Sequence, residues 1–112
     1  MIKQLKSIQT GYSKIRLPVV FLLLALGSGA AYAADTGKGG GLYAKNCSTC
    51  HGASGVSVMP GAPSFARGEG LMQTDAKLLA SIKAGKNVMP AYMGILSDTD
   101  ILDVIAYLRT LH

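Results

Sequence analysis

This sequence predicts a small all-α domain in which three to four helices gather around a single bound group. Three observations carry that prediction. The run Cys47-Ser48-Thr49-Cys50-His51 places two cysteines one helical turn apart with a histidine directly behind them. Two later stretches open on capping residues and continue with apolar side chains at helical spacing. No stretch alternates apolar and polar residues as a half-buried strand would.

The cysteine run is the point of organisation. Two sulfurs three positions apart on a helix share a face, within reach of neighbouring vinyl groups on one porphyrin edge. Each sulfur can close a thioether, and the following histidine is then carried under the iron as an axial ligand. This is the spacing of covalent haem c attachment, which makes Cys47 and Cys50 cofactor-binding residues and His51 an iron ligand. A structural zinc site wants four ligands, whereas these are the only two cysteines and the only other histidine is His112. A thioredoxin-like pair would follow a strand in an alternating β and α pattern. A Cys47 to Cys50 disulfide would close only a tiny loop and leave His51 without a purpose.

The first 33 residues read as an export leader. Lys3, Lys6, Lys14 and Arg16 form its basic part, and Val19 to Leu26 an apolar run too short to span a bilayer comfortably. Gly27-Ser28-Gly29 and the small-x-small pattern Ala31-Tyr32-Ala33 then predict a cleavable signal peptide over 1–33 and a mature domain over 34–112. The expected compartment is the periplasm, where exported cysteines end as disulfides or cofactor attachments. An uncleaved leader would serve instead as a membrane anchor. Four of the eleven basic residues lie in the leader, so the mature part keeps seven against six acidic ones, a formal net charge of +1. The basic surplus of the whole chain therefore gives no support to nucleic-acid binding. About 79 residues remain after cleavage, too few for a comfortable core, and a buried porphyrin would supply the missing apolar mass.

Along the mature part, Asp35 to Gly41 has the composition of a linker, and Leu42 to Asn46 reads as a short helix running into the cysteine motif. Gly39 and Tyr43 share a helical face with Cys47, and a glycine there lets a second helix come close. Gly52 to Gly70, with five glycines, Pro60 and Pro63, predicts a long irregular loop of the kind that wraps something. A carbonyl in its Ala62-Pro63 segment is expected to accept the second N–H of His51, with Phe65 packed against the porphyrin. Thr74 and Gly85 bracket a helix with Leu78, Leu79 and Ile82 as its stripe. A proline-interrupted loop, Lys86 to Gly94, follows. Ser97-Asp98-Thr99-Asp100 then opens a terminal helix expected over Ile101 to Leu111, buried on most of its circumference. The six acids read as helix starts and solvated surface.

For the second axial position, soft thioether donors suit iron, and His112 lies on a chain end that should fray. Met59 is too close in sequence to His51, and Met72 reads as packing before a helix. Met89 and Met93 follow far enough on to reach the opposite haem face, and Pro90 stiffens the backbone beside Met89. Met89 is the expected ligand and Met93 its rival. No acid and base pair, activated nucleophile or phosphate loop is evident, so an enzyme is not expected.

These segments together resemble a class I cytochrome c over nearly the whole mature region. The likeness rests on Cys47 to His51, Ala62-Pro63-Ser64-Phe65, Met89-Pro90-Ala91-Tyr92 and Asp103-Val104-Ile105-Ala106-Tyr107-Leu108. It implies that the Pro63 carbonyl accepts from His51, that Met89 is the sixth ligand, and that Tyr92 belongs with the cofactor contacts. It also implies that the first and last helices cross through Gly39 and Tyr43 against Val104 and Tyr107, which makes the Gly-rich start helical. Pro60 to Gly68 is further similar to small cytochromes associated with denitrifying nitrite reductases. Met93 departs from the family pattern. The function implied is a one-electron carrier, monomeric, docking with redox proteins at the haem edge, where Lys45 and Lys86 form a modest basic rim. The alternatives are a permanent subunit or maturation partner of a larger oxidoreductase such as a nitrite reductase system, and a gas sensor or peroxidase with an open sixth position.

Overall fold

The computed structural model describes residues 32–112. The predicted leader over 1–33 falls almost entirely outside the described residues. Four α-helices and one 3-10 turn follow in order: α1 Thr36–Asn46, α2 Ser48–His51, the 3-10 turn Phe65–Arg67, α3 Asp75–Ala84 and α4 Asp98–Leu108. Two isolated bridges, Lys86 with Met89 and Met93 with Leu96, are the only β pairing among the described residues. The all-α expectation is met.

Helix α1 takes in the Gly-rich run that composition alone reads as a linker. Each glycine costs a helix about 1 kcal/mol relative to alanine, so something outside the helix must compensate. Part of that comes from Asp35, which caps the helix by accepting the Lys38 N–H at 2.9 Å. The larger part comes from the crossing with α4. A Cβ on Gly39 would lie 2.0 Å from the Asp103 carbonyl oxygen, so the two backbones approach to a distance only glycine permits. Tyr43 and Tyr107 meet beside that point, ring centroids 5.4 Å apart. The crossing of first and last helices is thus as the family resemblance implies.

Helix α4 starts as predicted. Ser97 caps it, and the reciprocal bond from the Ser97 N–H to the Asp100 carboxylate completes a capping box. Ile101, Val104, Ile105 and Leu108 are buried, and no residue from Asp100 to Arg109 is fully exposed. The helix stops at Leu108, short of the expected Leu111, because Thr110 sends both its N–H and its hydroxyl to the Tyr107 carbonyl and tightens the last turn. Asp103 departs further from expectation: it is 1% exposed rather than solvated. Its carboxylate accepts the Asp35 N–H at 2.8 Å and faces the Lys38 ammonium at 3.3 Å, fastening the start of α1 to α4. A buried carboxylate is tolerated only with such partners.

Helix α3 is bracketed as predicted by Thr74, which accepts the Lys77 N–H, and by Gly85. Arg109, at the end of α4, donates to the carbonyls of Leu71 and Gln73 and to the Asp75 carboxylate, tying α3 to the terminal helix. Met72 is 98% exposed and does no packing, against expectation. The Leu71 side chain just before it fills the core instead.

The core divides into two clusters, and α4 supplies both. Tyr43, Phe65, Leu71, Val104 and Leu108 form one. Leu78, Tyr92, Ile101 and Ile105 form the other, with Met89 and Leu96 packed against it.

Candidate cofactor site

Cys47 closes α1 and Cys50 and His51 complete the single turn of α2, so three functional side chains within five residues follow directly from the end of a helix held by the α4 crossing. The His51 N–H returns to the Cys47 carbonyl at 3.0 Å, and the Ser48 hydroxyl donates to the Ala44 carbonyl, which continues the helical path through the motif. Both cysteines are free and half-buried. Burial, with Cys50 nearby as a lesser cause, pushes the Cys47 thiol up to about 11. A thiol raised in this way is not in the environment of an activated thiolate.

His51 is 6% exposed, and its Nδ1 lies 3.0 Å from the Pro63 carbonyl oxygen. A carbonyl can only accept, so Nδ1 carries a proton and Nε2 is the nitrogen left to offer a metal. Phe65 lies over the imidazole, with centroids 4.5 Å apart and planes 21° from parallel. The loop that delivers Pro63 and Phe65 is less irregular than its composition implies. Ser64 is fully buried, donating its hydroxyl to the Gly55 carbonyl and its N–H to the Glu69 carboxylate, and the 3-10 turn follows it. That N–H, with the Arg67 guanidinium, holds the Glu69 carboxyl below its usual range.

Met89 is delivered by a two-residue turn. Lys86 and Met89 exchange backbone hydrogen bonds of 2.9 and 3.1 Å across Asn87, whose φ of 55° is one asparagine adopts readily. Gly85 allows the loop to fold back: a Cβ there would sit 2.7 Å from the Met89 carbonyl oxygen and from the Ala91 nitrogen. Tyr92, 8% exposed, then donates its hydroxyl to the Asn46 carbonyl at 2.7 Å and anchors the Met89 loop to the end of α1. Burial raises its phenol, so the hydroxyl stays protonated to donate. Tyr43 makes the matching bond on the other cluster, to the Gly52 carbonyl at 2.6 Å, and its phenol is pushed up to about 12, first by burial.

Between the two clusters lies an apolar cleft, partly open to solvent. Cys47, His51, Phe65, Met89 and Tyr92 line it, together with Tyr43, aliphatic side chains of α4, Ile82 and Leu96. Both tyrosine hydroxyls are spent on backbone carbonyls, so the polar groups left to a ligand are the imidazole and the sulfurs. An apolar slot offering one imidazole nitrogen and soft sulfur donors fits an iron porphyrin. Pro63 and Cys50 do not line the cavity; Pro63 acts through His51, and Cys50 sits on the same turn as Cys47. Of the methionines described, Met89 alone lines the cavity. Met93 is 67% exposed and Met59 lies off the wall. The sequence reading missed Ile82, Leu96 and Leu108 as wall residues; it found them only as helix stripe or not at all.

A family model described as cytochrome c oxidase, cbb3-type, subunit III matches residues 34–108. Cytochrome c6 of Thermosynechococcus vestitus is 37% identical over 92 residues, covering 79% of this chain and 80% of that protein. Cytochrome c6 of Picosynechococcus is 32% identical over 103 residues, covering 84% and 87%. The chain is a class I c-type cytochrome. A solved structure, cytochrome c6 of the diatom Phaeodactylum tricornutum, superposes on this cytochrome with a TM-score of 0.59 at 32% identity, covering 69% of this chain and 93% of that one. The cofactor is accordingly one covalently bound haem c, and the cytochrome is an electron-transfer protein rather than an enzyme, a carrier between redox proteins. No helix among the described residues is long and apolar enough to cross a membrane.

Proposed function

We propose that this cytochrome is a periplasmic one-electron carrier whose haem is thioether-bonded through Cys47 and Cys50 and ligated by His51 and Met89. The observation that supports the assignment is that His51, with Nε2 free, and Met89 line one apolar cavity beside Cys47. When bound, haem iron supplies a reversible one-electron couple. His51 and Met89 would hold the iron between them, which would deny oxygen or peroxide an open site, and a thioether donor would favour the reduced state relative to a second imidazole. Pro63 makes the imidazole a stronger donor by accepting its Nδ1–H. Phe65 and Tyr92 keep water from the walls.

Redox partners dock at the haem edge of a monomer, without nucleic acid. Lys45, Lys77 and Lys86 are exposed and carry no ion pair among the described residues, whereas Lys38, Lys83, Arg67 and Arg109 are paired. Lys45 and Lys86 flank the cysteine motif and the Met89 turn and steer an acidic partner. Electron-transfer rates that ignore both salt and charge reversal at these two lysines would remove the rim from the proposal.

Residues 1–33 act as the signal peptide, cleaved after Ala33. The mass of the exported polypeptide, with its oxidised and reduced absorption spectra, tests the reading as a whole. The expected result is the mass of 34–112 plus one haem that survives denaturation, with a low-spin spectrum and the methionine-to-iron band at its red end. A mass equal to the bare amino acids would sink it. The description of the matching family model as an oxidase subunit favours a second reading, a fixed subunit of a larger oxidoreductase. Copurification at constant stoichiometry would select that reading over a free carrier.

A further inference from the structure

We propose that Phe65 is a positioning residue that fixes the plane in which His51 presents Nε2, a role beyond lining the cofactor cavity. The proposal rests on the reading of His51 as the iron ligand. A single hydrogen bond from Nδ1 to Pro63 restrains one corner of the imidazole and leaves the ring free to tilt about that bond. An aromatic face 4.5 Å away and only 21° from parallel removes the remaining freedom, because any tilt drives one ring edge into the other. Pro63 and Phe65 are two positions apart, so one short segment supplies both the acceptor and the flat surface.

That segment is itself held firmly. Ser64, between them, is 0% exposed and bonded through its hydroxyl to Gly55 and through its N–H to Glu69. Tyr43 meets the Phe65 ring nearly edge-on, centroids 6.4 Å apart at 65°, and Tyr43 is anchored by its own bond to the Gly52 carbonyl, the residue after the histidine. Imidazole, phenylalanine and tyrosine thus form a row of ring contacts, one stacked and one edge-on, and Tyr43 at its far end is tied to the backbone next to His51. A leucine at position 65 would fill the volume without defining a plane.

In the ferric holoprotein the order and spread of the paramagnetically shifted haem methyl proton resonances respond to the orientation of both axial ligands, so with Met89 unaltered a change in them reports a change in the plane of the His51 ring. Phe65→Leu keeps the apolar bulk and removes the face, and is expected to reorder or compress those signals while the absorption spectrum stays low-spin with both ligands. Phe65→Tyr keeps the face and is expected to restore the parental order. Parental order in Phe65→Leu, with nothing changed but the thermal midpoint, would reduce Phe65 to packing and overturn the proposal. Should Phe65→Leu fail to accumulate, the unaltered holoprotein answers the question. Cross-relaxation between the Phe65 and His51 ring protons in the ferrous holoprotein supports the stacked arrangement; its absence overturns it. A ferric spectrum without histidine ligation in the unaltered protein would instead remove the ligand assignment and this proposal with it.

Discussion

The two walls of the cavity are built by unlike means. On the His51 side, motif, acceptor and stacking ring come from buried or half-buried residues, and the loop between them is pinned by Ser64 and Glu69. On the Met89 side, a two-residue turn carries the donor, and its neighbours are open to solvent: Val88 is 80% exposed, Met93 67% and Ile95 66%. Met89 and Leu96 pack on one core cluster, but the turn itself stands in solvent, and the segment is anchored by the Tyr92 hydroxyl and by the Tyr92 and Met93 N–H groups on the Ile82 and Lys83 carbonyls. Local opening draws on regions with few buried contacts, so the Met89 wall yields first while the His51 wall follows the global stability.

The largest effects should come from the ligands themselves, and they should differ in kind. His51→Ala is expected to abolish accumulation of holoprotein, as read by haem-stained yield. Met89→Ala should leave a folded protein with covalent haem that has lost the thioether-to-iron band and binds carbon monoxide readily. Equal loss of holoprotein in both would erase the proposed asymmetry.

Next comes the crossing that serves both walls. Gly39→Ala places a methyl 2.0 Å from the Asp103 carbonyl oxygen, and overpacking of that degree costs about 3 kcal/mol. Denaturant unfolding of the holoprotein should lose about that much in one transition, because α4 feeds both clusters. A smaller and one-sided effect is expected of Tyr92→Phe, which removes the bond to the Asn46 carbonyl at a cost of about 1 kcal/mol. Added imidazole should then displace the methionine at about fivefold lower concentration. Tyr43→Phe, which loses the corresponding bond on the other wall, should leave that titration unmoved.

The smallest effect lies at the surface. The Lys38 ammonium, then the Ser97 hydroxyl and N–H, hold the Asp100 carboxyl at about 2, below its ordinary 3.8. A carboxyl depressed on folding contributes stability above its unfolded range and loses that contribution as pH falls through its folded value. Stability measured against pH should therefore decline between about 4 and 2, and Asp100→Asn should flatten the curve in that window only.

How much of this was legible in the sequence depends on whether the controlling interaction is local. Thr74, Gly85 and the Ser97 capping box mark helix ends through bonds to residues three or four positions away, and their positions were read correctly. The cysteine motif is local too. By contrast, residues 36–41 are helical because of a partner helix more than sixty positions on, which composition does not reveal and only the family pattern implied. Asp103 is buried for the same long-range reason, so counting it among solvated acids misjudged it. At the candidate site, place along the chain and Pro90 pointed to Met89 and the family pattern to Pro63 within the Ala62-Pro63 segment, but the near-parallel stack of Phe65 on His51 depends on the path of a loop that no periodicity records.

Arg109 brings one more consequence into view. Its guanidinium spans from the end of α4 to two carbonyls and a carboxylate at the threshold of α3, and so closes the chain into a hoop. Within such a hoop the helix behind the methionine cannot swing outward as a lid. On the proposed ligation, release of Met89 would fall to the short turn at residues 86–89, which is closed by its own pair of backbone hydrogen bonds.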